Sequence, residues 1–262
     1  MVPKSYLCVA AAAVASTVSG LNIPDWGSLA MDNGLALAGL NSIALVNSLT
    51  NTKGTCNLPT RTLSATQRKN FISAVNCLTT KPSILPSGVA PGSFSIFDDF
   101  TFVHLTQTNF VHMTGNFLTW PRYFIHVYEQ ELKKCGYGGN LPYWEWGLDA
   151  GDPRGTTNPM GVHGGGHFTI GGNPGGDPFV ASNDPAFWLH HAQIDCLYWI
   201  WQLQDFANRQ NVYGTRTLLN FDPSPDATVD DLLDVAPLAT SAVKIKDVMN
   251  TVGGSPLCYV YI

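Results

Sequence analysis

Residues 163–167 read HGGGH, and residues 183–195 read NDPAFWLHHAQID. His163 and His167 are four residues apart, which puts both imidazoles on one face of a helix, a common arrangement for two metal ligands. The glycines between them are poor helix formers, each costing roughly 1 kcal/mol relative to alanine. One interpretation is that the backbone must leave open space beside a metal ion. The alternative is a flexible loop with incidental histidines.

The second stretch predicts a third ligand. His190 and His191 are adjacent, so their side chains point about 100° apart on a helix and only one can face a shared centre. The other is expected to be a buried, hydrogen-bonded core residue. Asp195 follows His191 by four residues and shares its face, so its carboxylate could accept the second ring N–H of a ligand histidine. The alternative for Asp195 is a local cap or salt bridge.

Three further histidines precede these stretches. His104 and His112 are eight residues apart, just over two helical turns, so both rings lie on nearly one face. They could bind a metal together or line a cavity as neutral hydrogen-bonding groups, and the spacing leaves both readings open. His126 lies on a separate predicted helix and is interpreted as a surface or core residue.

Composition bounds the class of protein. The chain has 262 residues, with 14 Lys and Arg against 19 Asp and Glu and a formal net charge of −5. This acidic balance, without runs of basic residues, argues against nucleic-acid binding. Aromatic residues reach 11%, too many for a disordered chain. We expect a single domain over residues 21–262.

The first twenty residues predict a secretory signal peptide. Lys4 precedes a short apolar run over residues 6–15, and small residues follow it. The alternative is a helical N-terminal arm of the folded protein. The run is too short to span a bilayer, and no later stretch is long and apolar enough, so no membrane association is expected. Removing the signal leaves five cysteines, an odd number, so disulfides are expected, and at least one thiol stays unpaired or pairs between chains.

Hydrophobic spacing and capping residues predict a mainly α fold with long loops and a few short strands. Ser64 and Gln67 form a capping-box pattern, and Asp184-Pro185 is typical of a helix start. The predicted helices cover residues 28–50, a segment from residue 64, residues 97–113, the stretch between Pro121 and Gly136, and residues 184–209. The Gly- and Pro-rich stretches 80–96 and 150–178 are predicted loops. The chain from Asn211 onward has short strand-like pieces that end in CYVYI.

These motifs resemble a known family. The HGGGH and DPAFWLHHAQID blocks, with FLTWPRYFIHVYEQEL and PYWEW upstream, are similar to the tyrosinase, catechol oxidase and haemocyanin superfamily, above all its short fungal members. The resemblance covers roughly residues 50–262. It implies a four-helix core that carries two copper sites, each with three histidines, which bind dioxygen between them. The second metal site is complete, because His163, His167 and His191 match its ligands.

The first metal site of that superfamily is incomplete in this chain. His104 and His112 match two of its ligands, and the third would be the histidine of an FLxWHR motif. Residues 117–122 read FLTWPR instead, so Pro121, which has no donor atom, stands at the ligand position. His126 lies five residues further on, about 140° around the helix, and is not expected to replace the missing ligand.

Three functions follow as alternatives. The first is a lyase with one ion, zinc by preference, that acts on a small aromatic alkaloid, resembling the fungal cyclopenases that convert a benzodiazepinedione epoxide to a hydroxyquinolone. There His104, His112 and Glu145 would be acid–base or binding groups in the vacated half-site. The second is an o-diphenol oxidase with two copper ions. The third is a non-catalytic, haemocyanin-like binding protein. No protein partner can be read from the sequence.

Overall fold

Six helices make up most of the regular structure in the computed structural model, which describes residues 62–145, 161–253 and 255–261. They are α1 Ala65–Thr80, α2 Ile96–Val111, α3 Thr119–Lys134, α4 Gly161–Ile170, α5 Pro185–Leu203 and α6 Ile245–Val248. Single 3-10 turns lie at Ala181–Asn183 and Leu218–Asn220. Strands β1 Leu232–Leu233 and β2 Val243–Lys244 pair antiparallel, with Leu232 opposite Lys244. The predicted mainly α class, with few short strands, is confirmed.

Capping residues fix where two of the helices begin. The Ser64 hydroxyl accepts a hydrogen bond from the Gln67 amide at 3.2 Å, and the Gln67 side chain accepts one from the Ser64 amide at 2.8 Å. The Asp184 carboxylate accepts from the Ala186 amide at 2.8 Å, and Pro185 is the first residue of α5. Both starts match the sequence prediction, because caps are local interactions that the sequence shows directly.

Other boundaries differ from the prediction. The loop predicted for 150–178 is wrong over Gly161–Ile170, which is helical because tertiary packing outweighs the low helix propensity of glycine. Helix α3 begins at Thr119, so Pro121 lies in the first turn, where its missing N–H breaks no helical hydrogen bond. Helix α5 ends at Leu203 rather than at residue 209. The final CYVYI forms no strand within the described residues.

The core sits between helices α2, α3 and α5 and is strongly aromatic. Trp188 of α5 stacks on Tyr128 of α3 with ring centroids 3.8 Å apart. Phe100 of α2 meets the edge of the Trp188 ring at 5.1 Å and lies 5.4 Å from Phe124. These contacts join three helices into the frame that carries the histidines. Helix α4 packs against α5 beside this frame.

The described cysteines test the expectation that this chain forms disulfides. Cys77, near the end of α1, is bonded to Cys135, which directly follows α3. Cys258 is also disulfide-bonded. Cys196 is buried in α5 and is not part of a disulfide, in agreement with the odd number of cysteines.

Several sequence predictions lie outside the described residues. They are the signal peptide over 1–20, the helix over 28–50 and the part of the predicted loop over 150–160. Among the helices that the structure describes, none combines the length and apolar character needed to cross a membrane.

Candidate metal centre

Three histidines from two helices converge on one point. His163 and His167 lie on α4, and His191 lies on α5. The Nε2 atom of His167 is 3.2 Å from the Nε2 atom of His163 and 3.2 Å from that of His191. Metal–nitrogen bonds of about 2.0–2.1 Å at tetrahedral angles separate ligand nitrogens by roughly 3.3 Å. The three imidazoles therefore fit a single ion with an open fourth position.

The glycines between the α4 histidines allow the two helices to approach each other. Gly164, Gly165 and Gly166 are buried, and a Cβ atom on Gly166 would lie 2.1 Å from Cε1 of His190. The expectation that these glycines leave space beside the metal is therefore corrected, because the space at Gly166 is filled by the His190 ring.

His190 holds α4 in place rather than facing the centre. Its Nε2 atom donates to the backbone carbonyl of His163 at 2.9 Å, and its side chain is fully buried. Of the adjacent pair, only His191 faces the shared centre; the sequence predicts that one of the two does so, and the resemblance implies that it is His191. Because His190 directly precedes His191 on α5, its hydrogen bond connects the segment that carries the third ligand to the backbone of the first ligand, His163.

His104 and His112 form a second pair beside the triad. Their ring centroids are 5.2 Å apart, and the His112 centroid is 6.3 Å from that of His163. Nδ1 of His104 lies 2.9 Å from the Phe179 carbonyl, and Nδ1 of His112 lies 3.1 Å from the Thr108 carbonyl. A carbonyl oxygen only accepts hydrogen bonds, so both Nδ1 atoms carry protons and both Nε2 atoms offer lone pairs.

Burial keeps the clustered imidazoles neutral. Loss of hydration, together with the neighbouring His112, lowers the pKa of His104 to about 3. Burial lowers the pKa of His167 to about 4, against a smaller opposing effect of the Gly175 carbonyl. The pKa values of His163 and His191 also lie well below the usual range, first because of burial and then because of neighbouring histidines. A metal ligand must be the neutral imidazole, so these side chains are already in the binding form at neutral pH.

Asp195 does not hold His191 in the way that the sequence suggested. Its carboxylate pairs with the Arg122 guanidinium through one oxygen and accepts hydrogen bonds from the hydroxyls of Tyr259 and Tyr261, each at 2.5 Å, through the other. Among the described residues, Nδ1 of His191 has no hydrogen-bond partner. The predicted carboxylate–histidine contact is therefore wrong, and Asp195 belongs to a buried ion pair that ties α5 to α3.

Two other candidate residues lie apart from the histidine cluster or at its edge. His126 packs against Tyr123 with ring centroids 6.2 Å apart and has no ring contact with another described histidine. Glu145 is buried at the last described position before the gap at 146–160. The preceding Trp144 lies 6.4 Å from His190, which places this segment behind the triad.

Aromatic walls are expected from the aromatic-rich sequence, and the structure shows which residues form them. Phe187 packs on His191 with centroids 4.1 Å apart and also lies 5.1 Å from His104. Phe117 meets the His163 ring edge-on at 4.8 Å. Phe187 lies within the DPAFWLHH block, and Phe117 is the first residue of FLTWPR. Their contacts with the histidines depend on the fold and cannot be derived from the sequence. Together they give the centre apolar sides suited to a flat ligand.

Comparison with known proteins gives the fold and histidine arrangement a context. The model of the common central domain of tyrosinase matches residues 95–161 and 149–204. The tyrosinase-like protein phomQ1 of Diaporthe leptostromiformis is 29% identical over 77% of this chain and 76% of its own length. The tyrosinase-like protein orsC of Emericella nidulans is 42% identical, over 43% of this chain and 30% of its own length. A polyphenol oxidase structure from Thermothelomyces thermophila superposes with a TM-score of 0.76 at 26% identity, covering 88% of this chain and 96% of its own.

This chain is therefore similar to the tyrosinase-like superfamily in its central domain and in its fold. The copper pair expected for that superfamily fits only one half of the present site. The triad can hold an ion, since one ring nitrogen from each of its three histidines lies within 4.8 Å of the other two. In the other half, the described residues supply His104 and His112, and the resemblance aligns Pro121 with the expected third ligand. This departure from the superfamily pattern is chemical, since proline has no atom that can bind a metal.

Proposed function

We propose that this chain is an enzyme that uses one metal ion, held by His163, His167 and His191, to act on a small aromatic compound. One observation carries the proposal: three imidazole nitrogens converge in one half of the site, while Pro121 leaves the other half with two. Catalytic three-ligand sites keep their fourth position for water or substrate. The similarity to the central domain of tyrosinase supports catalysis over simple binding.

The ion would act as a Lewis acid that polarises an oxygen of the substrate or of water. The residues of the chain would hold the ion, exclude water and bind the substrate. Burial holds the three ligands in the neutral form, and His190 fixes His163 through its backbone carbonyl. The rings of Phe117 and Phe187 contact ligand histidines and would exclude water from an aromatic substrate. His104 and His112 face the same space as binding or acid–base groups.

The identity of the metal ion and the reaction it supports are part of this proposal. The preference for zinc gains no support from the described residues, since imidazole suits both zinc and copper. The cyclopenase-like lyase reaction on a benzodiazepinedione epoxide is compatible with a non-redox ion. None of the described residues is specific for that substrate. Secretion, predicted from residues 1–20, is likewise part of the proposal.

A copper o-diphenol oxidase is the second candidate. It is favoured by the likeness to a polyphenol oxidase and by the two Nε2 atoms of His104 and His112, which remain directed away from their carbonyl partners. A solvent ligand would have to complete the first site. A haemocyanin-like binding protein is the least supported function, because a lone three-histidine ion is half of the copper pair that binds dioxygen in that family.

Reconstitution separates these functions. Chelator-treated protein is loaded with zinc or with copper, and each form is assayed on catechol by oxygen uptake and on aromatic epoxides by product analysis under nitrogen. Product formation by the zinc form without oxygen, lost in His191→Ala, supports the one-ion lyase. Oxygen uptake by a form with two copper ions contradicts it and supports the oxidase. Absence of turnover by either form supports the binding protein.

A further inference from the structure

One loop supplies hydrogen-bond acceptors to imidazoles on two different helices. It follows α4 and covers residues 171–184, up to the start of α5. Nδ1 of His167, on α4, lies 3.3 Å from the Gly175 carbonyl, and Nδ1 of His104, on α2, lies 2.9 Å from the Phe179 carbonyl. Because a carbonyl oxygen only accepts, each bond places the ring proton on Nδ1 and orients the imidazole. The conformation of this loop therefore bears on how the triad presents His167.

Asp177 lies midway between the two carbonyls and holds the loop in shape. Its Oδ1 atom accepts a hydrogen bond from the Phe179 amide at 2.7 Å. Its own amide donates to the Pro174 carbonyl at 2.9 Å, and its carbonyl accepts from the Ala181 amide at 3.0 Å. A side-chain bond from aspartate to the amide two residues further on is a local turn that shapes loops. Asp177 thus connects the turn that contains Gly175 to the peptide of Phe179.

The loop is anchored on both of the helices that it serves. Gly175 is buried, and a Cβ atom there would lie 2.4 Å from Cγ2 of Ile170, the last residue of α4. Near the other end, the Thr101 hydroxyl donates to Oδ1 of Asn183 at 3.3 Å, which joins the loop to α2 about one turn before His104. A change in the middle of the loop would therefore be transmitted to the histidines on either side.

We infer that Asp177 is a positioning residue, which fixes the loop so that its two carbonyls orient the imidazoles of His167 and His104. The inference rests on the proposed function in that the triad holds an ion. Outer partners of ligand histidines contribute a factor of about 10–100 to metal affinity. Because Asp177 acts on His167 through the Gly175 carbonyl rather than by direct contact, we expect an effect of about tenfold, at the lower end of that range.

The charge of Asp177 is the competing explanation. Burial lowers the pKa of His104 to about 3, and the Asp177 carboxylate opposes this lowering weakly. Two substitutions separate the charge from the hydrogen bond. Asp177→Asn keeps the Oδ1 acceptor without the charge, whereas Asp177→Glu keeps the charge and moves the acceptor by one methylene group.

Zinc affinity and the tautomer of the His167 ring test the inference. Zinc binding is measured by competition with a chromophoric chelator, and the metal-free proteins are compared by nitrogen NMR of the histidine rings. We expect Asp177→Ala and Asp177→Glu to bind zinc about tenfold more weakly than the wild type, and Asp177→Asn to bind it nearly as tightly. Asn250→Ala is the matched control and should bind zinc like the wild type, since Oδ1 of Asn250 accepts from the Val252 amide at 3.0 Å in the same kind of turn.

The outcomes separate this inference from the proposed function. Unchanged zinc affinity in Asp177→Ala would overturn the inference. Equal losses in Asp177→Ala and Asp177→Asn would assign the effect to charge, and an equal loss in Asn250→Ala would assign it to stability, so both would also overturn it. If the wild type binds no zinc, the proposed function fails and the NMR comparison decides the inference. A single Nδ1–H tautomer of His167 in the wild type and Asp177→Asn that becomes mixed in Asp177→Ala supports it, and one tautomer in all three proteins overturns it.

Discussion

At the scale of the residue, the proposed one-ion site depends on Pro121. Its neighbour Trp120, and Phe124 three residues further along α3, both lie close to the His104 ring, so position 121 is bordered on the helix by residues that reach the half-site. A histidine at this position would supply the nitrogen that proline lacks. We therefore propose that the number of metal ions per chain depends on the side chain at position 121.

Replacing the proline tests this dependence. We expect Pro121→His, reconstituted with copper, to bind two ions per chain, because the new imidazole completes a three-histidine set with His104 and His112. Pro121→Ala is the matched control and should stay at one ion. Metal is measured by mass spectrometry against protein concentration. If Pro121→His also stays at one, the half-site differs from a copper site by more than its missing ligand.

Asp195 gives a second residue-scale prediction. Its carboxylate neutralises the fully buried Arg122, and removing one partner of a buried ion pair costs about 3–5 kcal/mol. We expect Asp195→Ala to lower the free energy of unfolding in urea by that amount. The control Asp230→Ala, which removes an exposed partner of Lys244 and Lys246, should change it little. A stable Asp195→Ala protein with lost metal binding would instead favour the ligand-orienting role.

At the scale of the element, the contact between α4 and α5 builds the triad. Helix α4 consists of residues with low helix propensity and is stabilised by packing its glycine face on His190. That packing sets the distance between His163 and His167 on one helix and His191 on the other. The site is therefore sensitive to the size of residue 166.

Gly166→Ala probes this packing. The added Cβ would lie 2.1 Å from the buried His190 ring, so one of the helices must shift. We expect a loss of roughly 1–3 kcal/mol in unfolding free energy, typical of overpacking, and weaker zinc binding in a competition assay. Gly92→Ala, where no atom lies within 4 Å, is the control and should match the wild type. Unchanged zinc affinity in Gly166→Ala would show that the contact does not position the ligands.

Local patterns explain which elements the sequence predicts. The starts of α1 and α5 follow from Ser64 and Asp184, whose partners are two or three residues away. The pairing of His163 with His167 is suggested by their four-residue spacing, and His191 as the third ligand is implied by the resemblance. The helix at Gly161–Ile170 and the partners of Asp195 do not follow, because they depend on contacts with residues distant in sequence. Arg122 and Asp195 are 73 positions apart.

At the scale of the whole molecule, a covalent link stabilises the frame around the site. The Cys77–Cys135 disulfide joins α1 to the end of α3 across 58 positions. A loop of this length corresponds to roughly 4 kcal/mol in the chain-entropy estimate. Two further features of the molecule, secretion and a single domain over 21–262, stay predictions.

The double variant Cys77→Ser/Cys135→Ser should therefore lose about 4 kcal/mol of unfolding free energy, measured in urea. Cys196→Ala is the matched control, since it removes a buried thiol without removing a cross-link, and its loss should be clearly smaller. A double variant within about 1 kcal/mol of the wild type would contradict the entropic account of this disulfide.

The central claim is that one half of a two-metal site binds an ion and the other half does not. Elemental analysis of natively purified protein, with His191→Ala beside it, tests this most directly. We predict one metal ion per chain in the wild type and none in His191→Ala, where the triad loses a ligand. Two copper ions per wild-type chain would contradict the claim.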